Sequence, residues 1–422
     1  MFFKILSRQN NYREETMKAR AHWLNRERLT MYPRIFLALF IVIGVGLVVT
    51  SKNMVDLRGN PLGTDFIVFW AASRLALAGH APDAYNVHLL FKAQQIAAPG
   101  LQNIYLWLYP PSFYLVVQPL ALLPYVAAYW TFMLSTLAGY VLVMRRIVRG
   151  KTAMWCLAGF SGLWVTLLHG QNSFLIATLV GVALLSVDRR PVLAGVFIGL
   201  LAIKPHLAVL FPLVLLAIGA WRTFITAAVT AITFMAIGTL TLGSDVLKGF
   251  FVNLDYARLL QENGFFIWNK MPTVFAFLRL LGIPVAWAYV VHFIVAVMAV
   301  IVVWFVWRRC RNRNLRGAAL VTATFLVSPY VLDYDLACLA FPIAWLALDG
   351  MHNGWMRGER EVLVAAWLLP MLMSPIATVL SLQLGPFVLC SLLWITYRRS
   401  TAASMIGDTA IDRDADQFEM VP

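Results

Sequence analysis

Uncharged apolar runs recur along this chain at intervals, and most are closed by a short loop carrying arginine or lysine. The first, IFLALFIVIGVGLVVT, runs from Ile35 to Thr50 and follows Lys18, Arg20, Arg26, Arg28 and Arg34. Backbone at membrane depth must satisfy its own N–H and C=O groups, which only helices and closed barrels do. Strands of a membrane barrel alternate apolar and polar residues, and these runs do not, so the spans are helical. Composition points the same way: 61% of residues are hydrophobic, 13% are charged, and the mean hydropathy is +0.75. A soluble core cannot hide that much apolar surface. The expected fold class is an all-α polytopic membrane protein with about twelve transmembrane helices, roughly 20 residues being enough for each crossing. One membrane domain over 31–399 follows a basic segment at 1–30 and precedes a tail at 400–422 that is acidic and expected to be disordered.

The formal net charge of +14 would indicate nucleic acid in a soluble protein. Here the cations sit in short loops, where they set topology by the positive-inside rule, so no nucleic-acid partner is expected. The basic loops at 145–151, 188–190, 308–316, 357–360 and 397–399 share one parity with the N-terminus, which places both termini in the cytoplasm. Opposite parity sends residues 51–109, HGQNS at 169–173, KPH at 204–206, the loop 243–272 and SPYVLDYD at 328–335 to the outer side. Within 51–109, the segments 66–78 and about 83–97 read as amphipathic helices lying at the interface. Pro119 and Pro124 are expected to break the long apolar run from Phe113 to Met144. Cys156, Cys310, Cys338 and Cys390 are scattered singly, with no disulfide framework and no zinc spacing. The N-terminus lacks the short apolar core and small-residue site of a cleaved signal peptide.

Several polar groups gather on the outer side. Asp65, in GTDFIVFWAASRLALAG, precedes an apolar helix. Its neighbours three and four residues on are Val68 and Phe69, so no cation on that helix face neutralises it. An N-cap accepts the free amides of a first turn, whereas a carboxylate in apolar surroundings is a better base near neutral pH. Both roles are open. Lys204, in LLAIKPHLAVLF, is an intramembrane cation followed by Pro205 and His206; such charges are functional by default unless they snorkel to the interface. Tyr109 lies in LYPPSF, a rigid entry to a span. His169, Gln171 and Asn172 share a span end, where amides suit sugar hydroxyls or a plain interfacial turn. Asp333, Tyr334 and Asp335 follow a serine–proline turn, and the two carboxylates suit acceptor hydroxyls, a basic partner or a cation. Asp255, Arg258, Glu262 and Lys270 form a polar strip beside Trp268, fit for carbohydrate stacking or for plain solvation. No Walker loop, dinucleotide fingerprint or HExxH motif occurs.

Taken in order, GTDFIVFWAASRLALAG, YPPSF, HGQNS, AIKPH and SPYVLDYDL resemble the polyprenyl-phosphate-dependent glycosyltransferases of family 87, a bacterial branch of the GT-C membrane glycosyltransferases. The resemblance spans about residues 60 to 340. It implies a GT-C-type helical bundle in the bacterial inner membrane, with an active site on the outer, periplasmic face. It also implies a polyprenyl-phosphate sugar donor, mannose foremost, and a glycan or glycolipid acceptor. Asp65 matches the family's acidic base in the first outer loop. Some members carry histidines after the serine–proline turn, where this chain has Asp333, Tyr334 and Asp335.

The chemistry fits that resemblance. Asp65 would deprotonate the acceptor hydroxyl for in-line attack with inversion, while Lys204 and His206 stabilise the departing lipid phosphate. Tyr109, His169, Gln171, Asn172, Asp333, Tyr334 and Asp335 would contact the substrates. No cofactor is implied and no metal ligand is assigned, with a divalent cation left open. The competing reading is a transporter or flippase of lipid-linked sugars, which also uses broken helices and an intramembrane lysine. Such a protein is expected to show an inverted repeat with matching breaks in its two halves, and no such repeat is visible in the sequence.

Overall fold

The computed structural model describes residues 22–265 and 268–418, with side chains to 403. The basic segment expected at 1–30 therefore lies mostly outside the described residues, as do the last four residues of the tail. The described chain is 77% helix and contains no strand; isolated bridges at Lys52–Val55 and Val55–Pro61 shape the first outer loop.

In chain order the helices are α1 (Arg26–Thr50), α2 (Phe66–Leu77), α3 (Val87–Ala97), α4 (Pro111–Val117), α5 (Tyr125–Ile147), α6 (Lys151–Ala158), α7 (Ser161–His169), α8 (Ser173–Ser186) and α9 (Pro191–Leu200). They continue as α10 (Phe211–Ala217), α11 (Trp221–Leu242), α12 (Asp245–Glu262), α13 (Val274–Leu280), α14 (Val285–Arg309), α15 (Arg313–Val327), α16 (Ala340–Asn353), α17 (Glu359–Leu380) and α18 (Gly385–Phe418). The backbone of α18 runs through the first part of the tail expected to be disordered.

Among the described residues, six helical segments are long and apolar enough to cross a membrane: α1, α5, α11, α14, Asp333–Asn353 and α17. The pair α6 and α7, bent by 45°, makes a seventh if it is one broken span, and five apolar helices are shorter. These segments fit an integral membrane protein. The expected figure of about twelve spans exceeds the count that length and composition support, because several apolar segments are broken into pieces too short to be counted alone.

Sequence explains where the helices start and stop. Asn25 caps α1 by accepting from the Arg28 amide. Both α5 and α14 begin directly after a proline, Pro124 and Pro284, and both end in two arginines. Proline fits the edge of a first turn, and cations suit both the C-terminal dipole and the membrane interface. Pro119 and Pro124 break the run before α5 as expected, giving α4, a 3-10 turn at Gln118–Leu122, and then α5. Helices α9 and α11 meet at Gly195 and Gly199. A Cβ at these positions would come within 2.6 Å of Thr226 and 2.5 Å of Thr230. Such small-residue contacts let helices approach where burial from water supplies no drive.

The segment 66–78 departs from expectation. It is helical, but it is not amphipathic at an interface. Residues Phe66 through Ser73 and Ala76 are buried, and the rings of Phe66 and Phe69 pack against Tyr125, Tyr129, Phe132, Tyr109 and Phe113. A helix apolar all round belongs inside, and α2 is the hub against which α3, α4 and α5 assemble. The second predicted helix, α3, does keep an exposed side at Leu89 and Ile96.

Candidate active site

Two turns meet in front of α2. Gly170 ends α7 at φ +66, the left-handed region that favours glycine. A Cβ there would lie 2.6 Å from the Phe66 Cβ and 2.9 Å from the Gly63 carbonyl. Glycine thus lets the His169–Asn172 turn close onto the loop carrying Asp65. The contact is made by backbone: the Asp65 amide donates to the His169 carbonyl at 2.8 Å, joined by the Thr64 hydroxyl at 3.3 Å.

With its backbone fixed in this way, Asp65 occupies the N-cap position of α2, yet its side chain makes no capping hydrogen bond. The carboxylate points instead at Gln171, whose Nε2 donates to Asp65 Oδ2 at 2.7 Å. Gln171 has no freedom to turn over. Its Oε1 already accepts from the Tyr109 hydroxyl at 3.0 Å and from the Asn172 amide at 3.2 Å, so its nitrogen must face the acid. Burial raises the Tyr109 hydroxyl well above its ordinary range, and the Asp335 and Asp65 carboxylates add to the shift. Tyr109 therefore stays a protonated donor. The chain Tyr109 to Gln171 to Asp65 fixes one carboxylate oxygen, and among the described residues Oδ1 accepts no hydrogen bond. Tyr105 stands at the edge of the same site, its hydroxyl raised by burial first and then by Asp65 and Asp56.

A second cluster forms where two apolar helical runs are interrupted by 3-10 turns. Residues Leu201–Ile203 and Pro205–Leu207 are single 3-10 turns flanking Lys204, whose backbone is non-helical at φ −145 and ψ 68. Pro205 has no N–H to continue a helix. The other break is the 3-10 segment Asp333–Leu339. Lys204 Nζ reaches Asp335 Oδ1 at 2.5 Å, with both side chains buried. Asp335 also receives the Leu332 amide at 3.1 Å, capping its own turn, and the Ser173 hydroxyl at 3.5 Å. The ammonium lies 4.9 Å from the centre of the Tyr334 ring. Lys204, read from sequence as a clamp for a donor phosphate, is thus already paired. His206 lies beside this pair in electrostatic range, and its buried Nε2 has no hydrogen-bond partner among the described residues.

The third cluster joins His169, Lys270 and Asp333. His169 Nδ1 lies 2.8 Å from the Val165 carbonyl, and Lys270 Nζ lies 3.2 Å from Nε2. A carbonyl only accepts and an ammonium only donates. These partners favour the tautomer with its proton on Nδ1 and its Nε2 lone pair toward Lys270. Asp333 accepts the Tyr334 amide at 2.8 Å and is within electrostatic range of His169, Lys270 and Asp65. Asp333 and Asp335 therefore diverge: one faces His169 and Lys270, the other Lys204. Tyr334, between them, is within electrostatic range of Asp65 and both carboxylates.

The groups singled out from sequence converge in this way on one region. Asn172 is fully buried beside the Tyr109 hydroxyl, and among the described residues neither polar atom of its side-chain amide has a well-formed hydrogen bond. Lys270 is the component that sequence reasoning undervalued. In the expected polar strip of Asp255, Arg258, Glu262 and Lys270, Arg258 pairs with Glu262 on α12 at 2.8 Å, holding the Glu262 carboxyl below its ordinary range. Lys270 instead turns to His169. The signal available was its place directly before Met271-Pro272, a stop that ends the loop before α13. Ser173, the last residue of the HGQNS motif, joins the site through its contact with Asp335. No group of three or more His, Cys, Asp or Glu side chains among the described residues is arranged to hold a metal ion.

The model of glycosyltransferase family 87 matches residues 107–329, just over half of the chain. The match takes in Tyr109, the His169–Asn172 turn, Lys204 and Lys270; Asp65 lies before it and Asp333–Asp335 after it. No curated protein and no solved structure matches the chain.

Proposed function

The chain belongs to glycosyltransferase family 87 and is a membrane glycosyltransferase, and from that premise we propose that it uses a polyprenyl-phosphate sugar as donor, mannose foremost, with Asp65 as base. The acceptor is a hydroxyl of a glycan or glycolipid on the outer face of a bacterial inner membrane. The observation that carries this reading is the state of Asp65. It stands at the head of a helix without capping it, one oxygen is held by Gln171, and the other has no hydrogen-bond partner among the described residues.

In this mechanism the unpartnered Asp65 oxygen takes the acceptor proton as the hydroxyl oxygen attacks the anomeric carbon. The bond from that carbon to the donor phosphate oxygen breaks on the opposite face, so configuration inverts and a lipid phosphate leaves. A positioned base contributes about a hundredfold to ten-thousandfold. Gln171 and Tyr109 keep the carboxylate aimed, and the adjacent Asn172 amide is reserved for a sugar hydroxyl. Negative charge builds on the phosphate as it leaves, and a preorganised cation there lowers the barrier.

The pairing of Lys204 with Asp335 changes which cation comes first. We place the donor phosphate at Lys270, which has no carboxylate within ion-pair distance among the described residues, with His169 holding its ammonium in place. Lys204 and His206 then act from behind, with Lys204 fixing the break that presents Tyr334 and Asp333. A retaining reaction would need a nucleophilic carboxylate as well as acid–base help, and inversion needs only the one base.

The test is a transfer assay in membrane vesicles with a panel of radiolabelled polyprenyl-phosphate sugars. Transfer from at least one donor is expected, mannose first, and Lys270→Ala should raise the KM for that donor about tenfold, as expected for a lost charge-assisted contact. Passage of a lipid-linked sugar across the bilayer with no transfer would favour the transporter reading. An unchanged KM in Lys270→Ala would move the phosphate away from Lys270.

A further inference from the structure

Far from Asp65, the end of α5 opens onto a basic cavity that the transfer reaction does not use. The Tyr125 and Tyr129 hydroxyls bond the Leu62 and Leu167 carbonyls, so the first turns of α5 border the candidate active site. The helix then runs roughly 30 Å at 1.5 Å per residue to Arg145 and Arg146 in its last turn. There, Val148–Gly150 turns the chain into α6, with Gly150 at φ +110. A cavity of about 900 Å³ lies in this corner, walled by Val148, Met154 and Trp155 and rimmed by Arg145, Arg149 and Lys151.

Three features of the cavity point to one kind of ligand. The rim has three exposed cations and no carboxylate, and none of the three makes an ion pair or hydrogen bond among the described residues. Charges so placed repel one another unless an anion joins them. The walls are apolar, and the cavity lies at the end of a spanning helix, where acyl chains and headgroups meet. The Trp155 ring is held in position by the Arg34 guanidinium, 4.8 Å from its centre. In addition, α6 starts without a side-chain cap, leaving its first amides open toward the rim. A free anion would use the cations and leave the apolar walls wet, whereas a phospholipid uses both. We propose that this cavity binds a phospholipid with an anionic headgroup, its phosphate held by Arg145, Arg149 and Lys151 and its upper acyl chain lying on Trp155 and Met154. Basic clusters at the membrane end of a helix recognise anionic lipids in this manner.

The site is tested by native mass spectrometry of the purified full-length protein, titrated with phosphatidylglycerol and, separately, with phosphatidylcholine. Phosphatidylglycerol should be retained, and phosphatidylcholine should not. Arg145→Gln/Arg149→Gln/Lys151→Gln should weaken phosphatidylglycerol binding roughly a hundredfold, since each interfacial cation contributes about fivefold. Vesicle transfer by the variant in phosphatidylcholine should match the native protein, which shows that it is folded. If the triple variant does not fold, Arg149→Gln alone should lose about fivefold. Equal retention of both lipids, native affinity in the variants, or displacement of phosphatidylglycerol by millimolar inorganic phosphate would each overturn the proposal, the last by making the site one for a free anion.

Discussion

At the residue scale, Lys204 and Asp335 determine each other's behaviour. Buried charges are tolerated when paired, and removing one partner leaves the other without compensation at a cost of about 3–5 kcal/mol. Lys204→Met should therefore lower stability by that amount, read as a fall in the thermal unfolding midpoint in detergent. Lys204→Met/Asp335→Leu should recover most of it, because the uncompensated charge is gone. Equal midpoints for native and single variant would mean that the pair is solvated and that Lys204 snorkels. Both residues were visible in the sequence as polar groups in apolar runs, but their partnership was not. They are separated by 131 positions, and spacing along a helix says nothing of a contact between two distant turns. The same limit hid the link from Lys270 to His169. Asp65 was more legible, because the lack of a nearby cation on its own helix is a local property.

At the scale of elements, the site rests on the closure of the Gly170 turn onto the Asp65 loop. Two glycines in the same conformation separate strain from contact. Gly170 and Gly219 have φ of +66 and +67, but a Cβ at Gly219 would meet nothing within 4 Å. Gly219→Ala should cost about 1 kcal/mol in backbone strain alone. Gly170→Ala carries that strain and a collision with Phe66 and Gly63, so it should cost about 2–4 kcal/mol and lower transfer as Gln171 is displaced from Asp65. Similar losses of stability and activity in the two variants would show that the close approach does not matter. The proline breaks before α5 and after Lys204 were legible because proline acts locally on the backbone. The burial of α2 was not: an apolar helix after a polar loop has the same sequence at an interface and in a core. Only the partners supplied by α3, α4 and α5 decide between them.

At the scale of the whole molecule, the claim is directional: polar groups for transfer lie at one end of the spans and the basic loops at the other. Single cysteines placed at Arg58 and Arg149, both exposed, in a background without the four native cysteines, test it with an impermeant maleimide. Arg58→Cys should react from the outside of intact cells and Arg149→Cys only after the membrane is opened. Labelling of both from one side would break the topology and with it the outer-face site. Helical membrane architecture followed from the recurrence of apolar runs, since the bilayer leaves few backbone choices. The number of spans did not, because the chain breaks its helices where the site is built.

The most direct measurement compares transfer by native protein and Asp65→Asn in vesicles, at matched insertion and equal thermal midpoint. Asparagine keeps the shape of the side chain and can still be held by Gln171, but it cannot take a proton at neutral pH. In Asp65→Asn, kcat should fall about a hundredfold to ten-thousandfold with little change in donor KM. Transfer at the native rate by the folded variant would contradict Asp65 as base.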